Sequence, residues 1–97
     1  MIVSYVVLHY LTAEDTIKCV RSILNNVIPF SKAESHIIIV DNASPNDSYK
    51  KLEEEFGNNK AITLLKNKTN LGFAKGNNVG FLYAKKELNS DFILLLN

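Results

Sequence analysis

Four apolar runs rich in β-branched residues divide the chain: Ile2–Leu8, Ile37–Val40, Ile62–Leu65 and Phe92–Leu96. Each is continuous rather than alternating, the pattern of strands covered on both faces. Between the first two, Ile17, Val20, Leu24 and Val27 recur at helical spacing. Thr12, with Asp15 three residues on, supplies the residue types of an N-terminal cap for that helix. A second helix is expected to start at Ser44-Pro45, with Tyr49, Leu52 and Phe56 on its inner face and Gly57-Asn58 ending it. A third is expected from about Phe73 to Glu87, where Ala74, Asn77, Phe81, Ala84 and Leu88 fall on one stripe. The order βαβαβαβ predicts a Rossmann-like α/β fold with a mainly parallel sheet and right-handed crossovers. No repeat, low-complexity tract or linker interrupts it, so residues 1–97 read as one unit.

With 97 residues, 46% of them hydrophobic, the chain can build a real core, although a chain this short buries only roughly 60–65% of its unfolded surface. Its 11 basic and 10 acidic side chains leave a net charge of +1, which gives no general attraction to nucleic acid or to an anionic membrane. The single cysteine, Cys19, lies in a helical pattern and reads as a small core residue; alone it excludes an internal disulfide and fits a reducing compartment. No secretory leader and no long apolar run is visible, so a cytoplasmic location is expected.

In an open α/β sheet, ligands sit outside the carboxyl ends of the strands. The residues there are His9-Tyr10, Asp41-Asn42, Lys66-Asn67 and Asn97. Asp41 is expected at the mouth of such a cleft, where it can accept hydrogen bonds from a ribose or a base N–H; a turn acid bonded to its own backbone is the other reading. A nicotinamide cofactor needs a glycine-rich loop after the first strand, and that place holds Tyr10-Leu11-Thr12-Ala13-Glu14. The glycines come later. Asn70-Leu71-Gly72-Phe73-Ala74-Lys75-Gly76-Asn77-Asn78-Val79-Gly80 sets three glycines and three side-chain amides where a strand should hand over to a helix. Such a turn exposes N–H groups and the positive end of a helix dipole, suited to phosphate, with Gly72 and Gly76 letting the backbone approach a diphosphate. It matches neither GxxxxGK[ST] nor GxGxxG, and a glycine-eased turn whose amides cap backbone remains the alternative.

Three pieces together resemble the N-terminal half of inverting glycosyltransferases of family 2, which have the GT-A fold. They are Val6-Val7-Leu8-His9-Tyr10 through Cys19-Val20-Arg21-Ser22-Ile23-Leu24, then Ile39-Val40-Asp41-Asn42-Ala43-Ser44, then the glycine segment just described. The likeness is greatest to the rhamnosyltransferase-like branch, which builds bacterial surface polysaccharides. The resemblance implies a nucleoside-diphosphate sugar, UDP- or dTDP-linked, as donor and a saccharide or lipid-linked acceptor. It implies that Tyr10 lies beside the pyrimidine and that Asp41 accepts from the base. Lys75 and Asn77 would lie near the diphosphate, Asn70 and Gly72 would shape that loop, and Asn78 would hold the turn to the sheet. The chain departs from the family at Leu11, where relatives usually carry a polar residue, and at Asn77, where many carry arginine.

The family's fourth strand leads into a DxD-type motif that holds a divalent metal, Mg or Mn, and Asn97 stands at its first position. The resemblance therefore implies a fragment, with metal site, acceptor site and catalytic base incomplete or absent, inactive alone and prone to self-association. The parent enzyme would work in the cytoplasm, at the inner face of the membrane. A non-catalytic nucleotide-binding or regulatory α/β module is the rival reading; a receiver-like phosphoacceptor using Asp41 would need an acidic pair after the first strand. His9 and His36 read as strand-end residues without metal-ligand spacing, and Ser22 and Ser48 as hydroxyls without a neighbouring base.

Overall fold

Strand β1 (Ile2–His9) is flanked by β2 (Glu34–Asp41) on one side and β4 (Phe92–Leu96) on the other, and β3 (Ile62–Lys66) extends the sheet beyond β2. All pairings are parallel, in a computed structural model that describes residues 1–96. The connections are helices α1 (Ala13–Asn26), α2 (Ser48–Phe56) and α3 (Gly72–Lys86), with a short 3₁₀ turn at Ile28–Phe30. This is the expected parallel α/β order.

Alternate residues of β1 and β2 feed two separate cores, as the two-residue period of a strand requires. Tyr5, Val7, Ile37 and Ile39 meet Val20 and Ile23 of α1 and Leu52 and Phe56 of α2. Val6, Ile38 and Val40 face the other way, with Ala84 of α3 and the partly buried Val79 and Tyr83. Both central strands are thus covered on both faces, which is why their apolar runs do not alternate.

Three helix expectations are corrected. Thr12 makes no side-chain cap, and Val27 is exposed beyond the end of α1, whose buried positions are Ala13, Thr16, Val20 and Ile23. Helix α2 starts at Ser48, not at Ser44-Pro45, because the Ser44 and Asn46 side chains bond to Leu11 across the loop. Tyr49 is only partly buried. The inner stripe of α3 is Gly76, Asn77, Gly80 and Ala84, while Ala74 is exposed. A Cβ on Gly80 would stand 2.4 Å from Val6 Cγ1 and 3.0 Å from Val40 Cγ2, so the helix backbone itself lies against the sheet.

Register sets up the site. His9 is opposite Asp41, and Asp41 is opposite Lys66, so three chemistry-bearing residues end adjacent strands in one row.

Candidate functional site

Two loops are tied across the ends of β1 and β2. The Leu11 N–H donates to Ser44 Oγ at 2.9 Å, and Asn46 Nδ2 donates to the Leu11 carbonyl at 2.9 Å. Leu11 and Ala43 hold φ values of 68° and 62°, the left-handed region that side-chain-bearing residues rarely adopt. Backbone strain of this kind, of order 1–3 kcal/mol per residue, gathers at ligand clamps and active sites.

Beside this clasp is a buried polar cluster from four elements. The His9 ring is 1% exposed, with Nδ1 2.7 Å from Thr16 Oγ1 of α1 and Nε2 2.9 Å from Ser48 Oγ of α2. Nε2 is also 3.7 Å from Asp41 Oδ1. Burial pushes the His9 pKa below its ordinary 6.5, against the opposing pull of Asp41. Asp41 itself has no exposed surface. Its Oδ2 accepts from the Ser44 N–H at 3.3 Å, whereas Oδ1 is buried without a hydrogen-bond partner. Ser48, read from the chain as lacking a base, in fact meets an imidazole; at 2% exposure it is a packed bridge rather than an accessible nucleophile.

Asn42, one residue on from Asp41, points to the opposite face and organises the glycine turn. Its Nδ2 donates to Asn70 Oδ1 at 3.0 Å and to the Gly72 carbonyl at 3.1 Å. Its Oδ1 accepts from the Leu71 N–H at 3.0 Å and from Asn67 Nδ2 at 3.2 Å. Asn70 Oδ1 also takes the Gly72 N–H at 2.8 Å. Gly72 is at φ 80° with open space where a Cβ would be, so its backbone conformation and not crowding calls for glycine. Gly76, expected to admit a diphosphate, instead faces inward: its Cβ would meet Leu8 Cδ1 at 2.9 Å and Asn42 Nδ2 at 3.1 Å. Asn78, expected to tie the turn to the sheet, is exposed; Asn42 makes that tie.

The residues singled out from the sequence are therefore spread along one sheet edge. Tyr10 is exposed and borders a hollow with Leu8, Thr12, Asp15 and Cys19. Asn70 and Gly72 meet at the turn held by Asn42. Asn77, buried, lines a groove of about 340 Å³ with Phe73, Phe81 and Leu95, and its Oδ1 has no partner. Lys75 is exposed on the first turn of α3 and makes no ion pair among the described residues. Asn97 lies outside the described residues.

His9 and Asn42, named from the sequence only as strand-end residues, are the side chains that join the candidate site together. Strand parity could have found both. Residues 5, 7 and 9 of β1 and 37, 39 and 41 of β2 face α1 and α2, which aims His9 and Asp41 at one another's side of the sheet. Asn42 continues the parity of Ile38 and Val40, toward α3.

A hard divalent cation takes six or more oxygen ligands, or keeps several waters on fewer carboxylates. Among the described residues no three or more His, Cys, Asp or Glu side chains are grouped to hold a metal, so this donor set does not fit a complete cation cage. No described helix is long and apolar enough to cross a membrane.

The four-stranded parallel sheet, with a glycine turn opening a helix and a buried carboxylate at its carboxyl edge, is Rossmann-like and matches the N-terminal part of the GT-A fold. The family model for glycosyl transferase family 2 matches residues 4–97, and the chain belongs to that family. It is similar in structure to S. aureus TarS 1-349, solved in complex with UDP-GlcNAc, with a TM-score of 0.71 and 26% sequence identity. That similarity covers 99% of this chain and 26% of the TarS chain, so the chain spans about a quarter of its relative's length. Among curated proteins none matches the sequence.

Proposed function

We propose that residues 1–97 form the nucleotide-sugar-binding half of an inverting glycosyltransferase that draws on a UDP- or dTDP-linked sugar in bacterial polysaccharide synthesis. The observation that carries this reading is the unpartnered Asp41 Oδ1 at the end of β2, in a chain similar to a protein crystallised with UDP-GlcNAc. A buried carboxylate oxygen without a donor is costly, and a pyrimidine N–H supplies the missing donor. Because the carboxylate is covered in this structure, the clasp of Leu11, Ser44 and Asn46 has to part to admit the base. The strained Leu11 and Ala43 are the hinge points for that movement.

Tyr10, exposed at the neighbouring strand end, offers its ring as a stacking surface. Asn70 and Gly72 shape the turn; its Leu71 and Gly72 N–H groups are taken by Asn42 and Asn70, so it is the dipole of α3 that is offered to the diphosphate, and Lys75 adds a cation there. Asn77, whose Oδ1 has no partner, presents its amide to the groove that Phe73, Phe81 and Leu95 line. The sugar acceptor, saccharide or lipid-linked, the catalytic base and the ligands of any divalent cation come from outside the described residues, Asn97 being the first candidate. The 97-residue chain alone binds nucleotide and transfers no sugar.

Calorimetry with UDP and dTDP on the wild type and on Asp41→Asn tests the reading. A hydrogen bond to a charged acceptor is worth roughly 1.5–3 kcal/mol against about 0.5–1.5 for a neutral one, so the variant, whose amide oxygen still accepts, is expected to lose about 1 kcal/mol of affinity. Equal affinity for both proteins removes Asp41 from the site.

A further inference from the structure

We infer that His9 is a positioning residue for nucleotide binding: gripped by Thr16 and Ser48, it holds its Nε2 edge against Asp41 Oδ1 and keeps that oxygen set for the incoming base. The inference rests on the reading of Asp41 given above.

The grip is geometric. With Nδ1 2.7 Å from Thr16 Oγ1 and Nε2 2.9 Å from Ser48 Oγ, both ring nitrogens are engaged by different helices and the imidazole cannot turn. The carboxylate beside it is held much more loosely, by one long bond from the Ser44 N–H at 3.3 Å. Among the described residues, His9 Nε2 is the one side-chain nitrogen of a basic residue within ion-pair reach of Asp41, at 3.7 Å.

The carboxylate selects the tautomer. With the proton on Nε2, the Thr16 hydroxyl donates to Nδ1 and the Nε2–H donates to Ser48 Oγ, with Asp41 Oδ1 3.7 Å from the same nitrogen. With the proton on Nδ1, the Nε2 lone pair would face a carboxylate oxygen, which is repulsive. In the favoured tautomer the Nε2–H orients Oδ1 without fully bonding it. An imidazolium, by contrast, competes for the same oxygen that the base N–H needs.

The surroundings make this competition readable. Thr16 of α1 and Ser48 of α2 are uncharged, and Asp41 of β2 is the charged group acting on His9. On the β4 side the partner of Val7 is the apolar Leu96. Two titratable groups adjoin Asp41: Tyr49 of α2, whose pKa is raised by burial, then by Glu53 and Asp41, and Lys66, which stands 5.0 Å over the Tyr49 ring. Tyr49, its pKa raised, does not change charge in the range where a histidine with a lowered pKa does.

The test uses a UDP-sugar, whose phosphodiesters do not titrate near neutrality, with the 97-residue protein. Affinity is followed by calorimetry from about pH 8 down to about pH 5, across the histidine range. The wild type is expected to bind with constant affinity at neutral pH and above, and progressively more weakly as the pH falls through the lowered pKa of His9. His9→Gln is expected to bind up to about tenfold more weakly at neutral pH, because Asp41 Oδ1 loses the neighbour that orients it, and without the acid limb. Imidazole ¹⁵N shifts in the wild type give a second readout that needs no variant: saturating UDP-sugar should lower the His9 pKa further. A flat affinity profile together with a His9 titration indifferent to ligand overturns the inference, even if Asp41→Asn weakens binding. If Asp41→Asn binds as well as the wild type, the reading of Asp41 fails first and the inference with it.

Discussion

Asn42 Nδ2 donates to Asn70 Oδ1 at 3.0 Å across 28 residues of sequence, so a side chain at the end of β2 determines the shape of the turn that opens α3. With the bonds to Gly72, Leu71 and Asn67, the whole hydrogen-bonding capacity of one buried amide is used. Asn42→Ala is expected to cost about 2–4 kcal/mol, since each lost bond is worth about 1 kcal/mol and the partners are left unpaired. Denaturant unfolding measures the loss. Amide exchange at Leu71 and Gly72 should accelerate beyond the global change, because the turn loses its anchor while the sheet keeps its own. Unchanged protection at those two amides would mean that the turn holds itself.

The glycines of α3 should separate by role. Gly80→Ala places a methyl 2.4 Å from Val6 Cγ1 in the core, and overpacking of that kind costs about 1–3 kcal/mol. Gly72→Ala meets nothing, and only its φ of 80° opposes it, at about 1–2 kcal/mol. Ligand binding should rank the other way. A bulky residue at Gly72, such as Gly72→Val, should weaken UDP far more than uridine, whereas Gly80→Ala should leave the ratio of the two affinities unchanged. Chemical-shift titrations of each variant with both ligands check this, and equal losses for both ligands in Gly72→Val would reduce the turn to a structural role.

The central strands were legible because Ile2–Leu8 and Ile37–Val40 are apolar on both parities, which only a doubly covered strand requires. The added length of β2 was not, because Glu34, Ser35 and His36 pair with Ile2, Val3 and Ser4 through backbone alone, whatever their polarity. The start of α2 was hidden by tertiary ties: Ser44 and Asn46 resemble helix-starting residues, yet their side chains are committed to Leu11. The inner stripe of α3 was hidden for another reason. Glycine carries no hydropathy, so Gly76 and Gly80 leave no periodic signal although they face the sheet. At the site, residue types pointed to Asp41 and the glycine turn, but the joining contacts from His9 and Asn42 depend on which face of the sheet each side chain takes.

Acid should destabilise the fold through its histidines. Burial lowers the His9 pKa against the pull of Asp41, and it lowers that of His36 against the pull of Glu34. The unfolded chain therefore binds more protons than the native one below 6.5, the ordinary histidine value, and stability falls as the pH drops through that point. Above it both states are neutral and the contribution is complete. For the buried His9 the slope cannot exceed about 1.4 kcal/mol per pH unit. Thermal melts at a series of pH values should show the decline beginning near pH 6.5 and becoming shallower in His9→Gln. A wild-type profile that is flat down to the carboxylate range would mean that His9 is protonated in the native state at no cost.

Among the described residues β4 is an outer strand with one edge unpaired, and its apolar side chains are poorly covered: Phe92, Leu94 and Leu95 are 57%, 42% and 47% exposed. Phe73, 61% exposed, borders the groove that Leu95 lines, so strand and helix together present a continuous apolar surface. Unpaired edges and apolar patches of this kind promote association. The 97-residue chain is expected to self-associate with increasing concentration through this side. Charge on the exposed positions should prevent it without touching the core, since Ile93 and Leu96 are the β4 residues packed on the two clusters. Sedimentation of the wild type and of Leu94→Lys/Leu95→Lys checks the expectation: the double variant should remain monomeric where the wild type does not, with an unfolding free energy within about 1 kcal/mol. A wild type that stays monomeric at all concentrations would show that this apolar surface does not drive association.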